Sequence, residues 1–533
     1  MNSSAAPRPL QLFASLALAS SALLHAQTVA LDPAKLPKVA TVSPMFQGYN
    51  IEMVEITGGR FWAPYKQQGK PQADDASKAS IPPGMDPSLY RYRQPIDLSN
   101  LKLRRLAAAL GPAYVRVSGT WANSTWFYDS MVYASTPKTP PEGFGGVLTR
   151  RQWKGVLDFT RAVSGGLVTS FAVSTGVRDA SGVWTPVEAR KVLNFTQAIG
   201  VPIVASEMFN EPSFASIGGA PKGYDAAAYG RDFKVFHDFI SRASPKTIVL
   251  GPGSVGEPGM DTPLLTLKTP DMMAASGPGL NAFSYHFYGG VSQRCLRPGM
   301  KPQVTLDTAL SDEWLSLTNR DEAFYAKMRD QYLPGKPLWL TETGEAACGG
   351  DPWAATFIDS FRYLNQLGTL AKHNVQAVIH NTLAASDYAL LDEDTLTPRP
   401  NYWAALLWRR LMGTTVLDAD PKAAPSGTPS TPGLYLYAHC LRNHSGGVAL
   451  LAINASKENP AQLTLPKTSE RYVLASDNLT SSQVSLNGVD LALTPQGNLP
   501  TLVGTPTPPG KITLAPTTIA FFAMEGANNP ACR

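Results

Sequence analysis

Cysteine is scarce in this chain, four among 533 residues, and no CxxC or HxxxH spacing occurs. Neither a zinc site nor a dithiol redox centre therefore has the ligand pattern it needs. No Gly-rich phosphate loop follows an early apolar run, which weighs against a dinucleotide-binding, doubly wound sheet. The net charge is only +5 and no basic tract concentrates it, so the electrostatic footprint of a nucleic-acid binder is missing. Internal repeats, coiled-coil heptads and charged tails are absent too. No cofactor and no metal is expected, and the chain is expected to be a monomer.

Long apolar runs are confined to the start. Arg8 precedes LQLFASLALASSALL, which ends in LHAQ, the pattern of a signal peptide over 1–26 cleaved after Ala26. An N-terminal membrane anchor is the alternative, but the run is short for a bilayer and no other run is long enough. A secreted or periplasmic mature chain follows, in a setting where cysteines pair. Four cysteines allow three pairings. Cys295 and Cys348 fall on neighbouring loops while Cys440 and Cys532 bracket the C-terminal region, and this adjacency favours Cys295–Cys348 with Cys440–Cys532.

Eight short β-rich runs can be read: 46–52, 113–119, 166–175, 201–211, 247–254, 282–288, 338–344 and 375–383. Amphipathic helical stretches such as RQWKGVLDFTRAV, VEARKVLNFTQAI and YWAALLWRRLMG separate them. Strand–helix alternation over this length predicts an α/β fold, a parallel (β/α)8 barrel over 43–412. A doubly wound open sheet would show the same alternation. After residue 413 a Pro/Ser/Thr/Gly-rich stretch gives way to short alternating runs, the pattern of an antiparallel β-sandwich over 413–533. Residues 27–42 are expected to lend it a strand.

Two glutamates stand at matching places in the barrel repeat, Glu211 ending the fourth run (VPIVASEMFNE) and Glu342 near the end of the seventh (LWLTETG). A lone Glu at a strand end is usually a solvated carboxylate. Two at the mouth of one barrel match what glycosidic bond cleavage needs, an acid for the leaving oxygen and a carboxylate for the anomeric carbon. Asn210 beside Glu211 offers an amide to a sugar 2-hydroxyl. Glu345 competes with Glu342 but lies past the strand. His286 and His380 read equally well as sugar ligands or as hydrogen-bonded structural imidazoles. Arg294, Arg297 and Lys301 form a cationic cluster, either solvated or facing sulfates.

The segments NEP, YHFY, WLTETGEAACGG, SDYALLDEDTLTPRPNYWAALLWRRLMG and LYAHCLRNHSGGVALLAINAS together resemble the heparanase/β-glucuronidase family, glycoside hydrolase family 79, in the manner of a bacterial heparanase-like member. The resemblance implies a retaining mechanism with Glu211 as acid/base and Glu342 as nucleophile. It makes Asn210 the asparagine before the acid, Tyr288 the hydrogen-bond donor to the nucleophile, and Tyr388, Gly349 and Gly350 the holders of a uronic-acid carboxylate. Thr120 and Glu52 fall where the family lines the −1 subsite, and Cys440–Cys532 agrees with a disulfide in the family's sandwich. The long excised linker of mammalian heparanases has no counterpart in 121–152, so activity without proteolytic maturation is expected, with room for a cleft. The expected substrate is a glucuronic-acid-containing oligo- or polysaccharide of the heparan sulfate or heparin type, cut internally. Exo action on small or terminal glucuronides, a non-catalytic carbohydrate-binding protein and a neutral-sugar barrel hydrolase are the rivals.

Overall fold

The computed structural model describes residue 1 and residues 28–67, 86–132, 136–137, 139–260, 262–296 and 299–533. The expected leader beyond Met1, its cleavage point after Ala26, and Arg297 lie outside the described residues.

Each of the eight runs contains a strand: β1 (Gln47–Glu52), β2 (Tyr114–Ser118), β3 (Gly166–Thr169), β4 (Ile203–Glu207), β5 (Ile248–Ser254), β6 (Ala282–Tyr288), β7 (Leu338–Gly344) and β8 (Ala377–His380). They pair in parallel in sequence order, and β8 returns to β1 to close a barrel. Among the described residues, one helix of at least two turns follows each strand: α1 (Leu101–Ala109), α2 (Arg150–Ala162), α3 (Val187–Ile199), α4 (Ala226–Ala243), α5 (Thr269–Ser276), α6 (Leu317–Tyr332), α7 (Phe357–Lys372) and α8 (Pro400–Leu411). This is the (β/α)8 barrel. Local chemistry sets the ends. Thr149 and Gln152 form a reciprocal capping box at the start of α2, and Gly200, at φ 78°, closes α3 in the left-handed conformation that glycine adopts without strain.

The barrel interior changes character with height. At the N-terminal ends of the strands it is filled by Tyr114, Val168, Ala205, Leu250, Ala282, Trp339 and Ala377. Two residues further along, the same inward-facing rows carry Arg116, Glu207, Ser284 and Thr341, all fully buried. An apolar plug thus supports a polar layer at the C-terminal mouth.

The C-terminal region is a sandwich. A nine-stranded sheet includes Lys38–Thr41, Met412–Leu417, Leu434–Leu441, Val448–Asn454, Thr518–Met524 and Ser469–Ala475, and a three-stranded sheet joins Thr28–Ala30, Ala461–Leu465 and Gly510–Leu514. Both N-terminal strands come from 27–42. The apolar stretch KITLAPTTIAFFAME forms two strands in different sheets, separated by Ala515–Thr517. Most pairs are antiparallel, but Thr28–Ala30 runs parallel to its neighbour.

Period-two alternation buries both faces of the large sheet. Leu434, Leu436, Leu450 and Phe522 face the small sheet, whereas Tyr435, Tyr437, Leu451 and Phe521 join the core that contains the barrel helices. The fit on the barrel side is close. The Tyr437 hydroxyl bonds Asn365 and Thr369 of α7, and a Cβ on Gly368 would lie 2.3 Å from the Tyr437 ring. Because this face is a core shared by barrel and sandwich, Phe521→Ala should cost about 3–5 kcal/mol, the usual range for a buried phenylalanine. Calorimetry is expected to show one transition moving down as a whole; an intact barrel transition beside a lowered sandwich transition would contradict the shared core.

Candidate active site

Glu342 lies within β7, and its aim comes from a register shift. Tyr285 pairs with Leu340 but His286 pairs with Glu342, so one extra residue is accommodated on β7. As a result the consecutive Thr341 and Glu342 both reach the barrel interior, one bonded to Glu207 and the other to Arg116. Glu342 Oε1 accepts from the Tyr288 hydroxyl at 2.8 Å, and Oε2 accepts from Arg116 Nη1 at 2.8 Å.

Glu211 is not at the end of β4, as the sequence suggested; the strand stops at Glu207. Four residues later Glu211 takes a left-handed backbone conformation (φ 48°, ψ 61°) before the 3-10 turn Pro212–Phe214. Its Oε1 lies 3.1 Å from His286 Nδ1. That nitrogen and one oxygen from each of Glu211 and Glu342 all lie within 4.8 Å of one another. The spacing would also suit a cation, but Tyr288 and the Arg116 guanidinium already bond the two oxygens of Glu342. The side chain of Glu211 is 18% exposed and that of Glu342 only 7%, so both open onto a narrow space.

Beneath them sits the part of the site that the sequence reading missed. Arg116 donates to Glu342, to Glu207 Oε2 at 2.8 Å and to Asn210 Oδ1 at 2.8 Å. Ser284 and Thr341 donate to the other Glu207 oxygen at 2.8 and 2.7 Å. Asn123 clamps the backbone of Asn210, donating to its carbonyl and accepting from its N–H. Arg116 thus holds Oδ1 of Asn210, which fixes the orientation of its amide. Two signals were present: charged residues inside AYVRVSG and VPIVASE, in runs otherwise apolar enough to be buried on both faces, where an unpaired charge is not tolerated.

Charge follows from this packing. Burial opposes a charge on His286, yet Glu342 and hydrogen bonds to Glu207 and Glu211 outweigh it and raise its pKa to about 9. Burial likewise opposes ionisation of Glu207, but Arg116 beside it holds its carboxyl well below the usual range. Burial, aided by repulsion from Glu342, raises Glu211 against the pull of the His286 hydrogen bond. Glu52 is raised further by burial and by Glu342. A Cβ on Gly119 would meet Glu52 Oε2 at 1.5 Å, so only glycine fits beside this carboxyl.

Other sequence candidates divide clearly. Asn381 Nδ2 bridges the hydroxyls of Tyr288 (3.0 Å) and Tyr388 (3.2 Å), bringing both tyrosines to the site. Gly349 and Gly350, at φ 86° and 85°, turn the loop beside Tyr388. The Gly350 N–H is taken by Ala346 O, which leaves Gly349 as the member of the pair suited to an anion. Thr120 opens a 3-10 turn just past β2. Glu345 points away from the pair and accepts from the Asp351 N–H at 2.8 Å. His380 bonds the Tyr388 carbonyl at 2.7 Å, and burial lowers its pKa to about 3, a structural imidazole. Arg294 is ion-paired with Asp387 rather than free for sulfate. The cysteines are joined as Cys295–Cys348 and Cys440–Cys532.

Comparison with known proteins gives this geometry a context. The family model described as "Glycosyl hydrolase family 79, N-terminal domain" matches residues 94–368. Heparanase of Bos taurus is 26% identical over 502 residues, covering 84% of this chain and 87% of that protein. Baicalin-β-D-glucuronidase of Scutellaria baicalensis is 30% identical over 298 residues, 52% of this chain and 51% of that protein. Among solved structures, a GH51 arabinofuranosidase from Xanthomonas axonopodis pv. citri superposes with a TM-score of 0.61 at 17% identity, covering 93% of this chain and 99% of that chain, a likeness of fold alone.

The electrostatics can be tested without substrate. His286 stabilises the charged form of Glu211, so removing it raises the Glu211 pKa further. In a protein labelled with 13C at glutamate carboxyls, His286→Gln should shift the Glu211 titration upward. A downward shift would mean that His286 acts on Glu211 mainly through something other than its hydrogen bond and charge.

Proposed function

The chain belongs to glycosyl hydrolase family 79, and from that premise we propose that it is a retaining β-glucuronidase with Glu211 as acid/base and Glu342 as nucleophile. The observation that carries the proposal is the short gap between the two carboxylates. Oxygens within 4.8 Å of each other fit the ~5–5.5 Å carboxyl separation of retaining enzymes rather than the wider gap that admits a water.

Each group has a derived task. Glu342, oriented by Tyr288 and Arg116, attacks the anomeric carbon while Glu211, its proton favoured by burial, protonates the leaving oxygen. In the second step the same Glu211, now ionised, takes a proton from water as water displaces Glu342. Asn210 offers its N–H to the 2-hydroxyl, where the bond strengthens as positive charge develops on the sugar. Tyr388, whose oxygen accepts from Asn381, keeps its own proton to donate to the uronate, beside the Gly349 N–H. A heparanase and a glucuronidase among the relatives support a glucuronide as substrate. Two disulfides, with no helix among the described residues long and apolar enough to cross a membrane, support an oxidising compartment outside the cytoplasm.

Aryl glycosides test the reaction. A β-glucuronide should be hydrolysed in preference to a xyloside or arabinofuranoside, and the reverse preference would remove the assignment. Glu342→Gln should abolish turnover. Glu211→Ala should retain the first step on activated aryl glucuronides and respond to azide with a glycosyl azide of retained configuration; a retained product from the Glu342 variant and an inverted one from the Glu211 variant would exchange the roles.

For polymers, the sequence favours internal cutting of heparan-sulfate-type chains. The structure supports a second reading, release of a terminal sugar. Both glutamates are nearly enclosed, and cations beside the mouth are neutralised: Arg91 by Glu393 and Asp394, Lys66 by Asp392, Arg294 by Asp387. Sizing of heparan sulfate digests separates the two. Free glucuronate with polymer length unchanged identifies exo action, and a falling chain length that weakens with added salt identifies endo action.

A further inference from the structure

We propose that Arg294, through its ion pair with Asp387, is the positioning residue that gives this site its preference for a uronic over a neutral sugar. The inference rests on the glucuronidase reading above and deepens it.

Arg294 lies in the loop after β6, its side chain 1% exposed. One arm of its guanidinium donates to Asp387 Oδ2 at 3.0 Å, the other donates to the Ala63 carbonyl, and its plane lies 3.7 Å over the Tyr65 ring. Asp387 Oδ2 also accepts from the Tyr65 N–H at 2.8 Å. Tyr65 and Ala63 belong to the loop after β1, and Asp387 to the loop after β8. The pair therefore fastens three barrel loops at one point, and Cys295, the next residue, binds a fourth through Cys348.

Every group assigned to the uronate is one link from this knot. Asp387 precedes Tyr388 in the chain, and its N–H donates to Gly349 O at 3.2 Å, where Ser386 Oγ also donates at 3.0 Å. Tyr65 Oη meets Ser292 Oγ at 2.8 Å, and that hydroxyl donates to Gly350 O at 2.8 Å. Burial dominates the rise in the Tyr388 pKa, with Glu52, Glu342 and Glu55 adding to it; Arg294 opposes the rise, so its charge reaches that hydroxyl. By contrast, the carboxylate pair is anchored by Arg116, Tyr288 and His286, none of which touches Arg294 or Asp387 in the bonds described. A neutral sugar carries a hydroxymethyl group where the uronate carries its charge. Disturbing the Gly349–Tyr388 cradle thus affects one class of substrate and not the other. Lysine cannot substitute, because two separate acceptors and a stacked ring require the planar fork of arginine.

The experiment compares kcat/KM on 4-nitrophenyl β-glucuronide and 4-nitrophenyl β-glucoside for the wild type, Arg294→Lys, and the double variant Arg294→Met/Asp387→Asn. The double variant leaves no unpaired buried carboxylate, which keeps the fold testable. Both variants are expected to lose about tenfold in the glucuronide-to-glucoside ratio, the equivalent of one charge-assisted hydrogen bond, carried by KM with kcat within about threefold. A ratio equal to wild type alongside a lowered Tm makes the pair purely structural and overturns the inference, as does restoration of the wild-type ratio by lysine. A wild type without glucuronide preference would instead overturn the glucuronidase reading.

Discussion

The buried guanidinium of Arg116 is the interaction on which the site depends. A cation at the centre of a barrel is tolerated only where carboxylates and hydrogen-bond acceptors surround it, and Glu207, Glu342 and Asn210 do so. Arg116 lies against Glu207 and Glu342, and His286, its pKa raised to about 9, lies beside both as well. Any further negative charge in this volume is opposed, and burial together with repulsion from Glu342 raises both Glu211 and Glu52 above the usual carboxylate range. The contrast between Glu207, held below the usual carboxylate range, and Glu211, raised above it, thus follows from the cluster as a whole.

The barrel was legible in the sequence because parallel strands covered on both faces read as continuous apolar runs, and β6 and β7 match their runs residue for residue. Of the helices, α5 (TPDMMAAS) is short and α6 (LTNRDEAFYAKMRDQY) is rich in charge, so neither announced itself by an apolar stripe. The split at Ala515–Thr517 is marked by a change from the alternating KITL to the continuous apolar IAFFAM and by different pairing partners for the two halves.

At the site, seeking chemistry at the ends of strands singled out the two glutamates, whereas Tyr288 and Tyr388 came from the family resemblance alone. Arg116 and Glu207 escaped since they form the tier beneath, where polar residues hold other residues in place. Asn381 escaped for a different reason: nothing in HNTL distinguishes a bridging amide from a turn residue until Tyr288 and Tyr388 stand on either side of it. Arg294 was misjudged by composition, since three cations close in sequence suggest a surface patch, whereas Asp387, its buried partner, is distant in the chain; Lys301 is exposed as that reading expects.

Glu211 occupies backbone space that suits asparagine or glycine and disfavours a long side chain by about 1–2 kcal/mol. Mutation that favoured thermal stability alone would therefore move position 211 away from glutamate, and the protein would grow sturdier as it lost the carboxyl proposed as its proton donor. The conformational cost at this one residue sets stability and chemistry against each other. Engineering for robustness would have to find its gains elsewhere in the chain and leave the turn before Pro212 in its disfavoured shape.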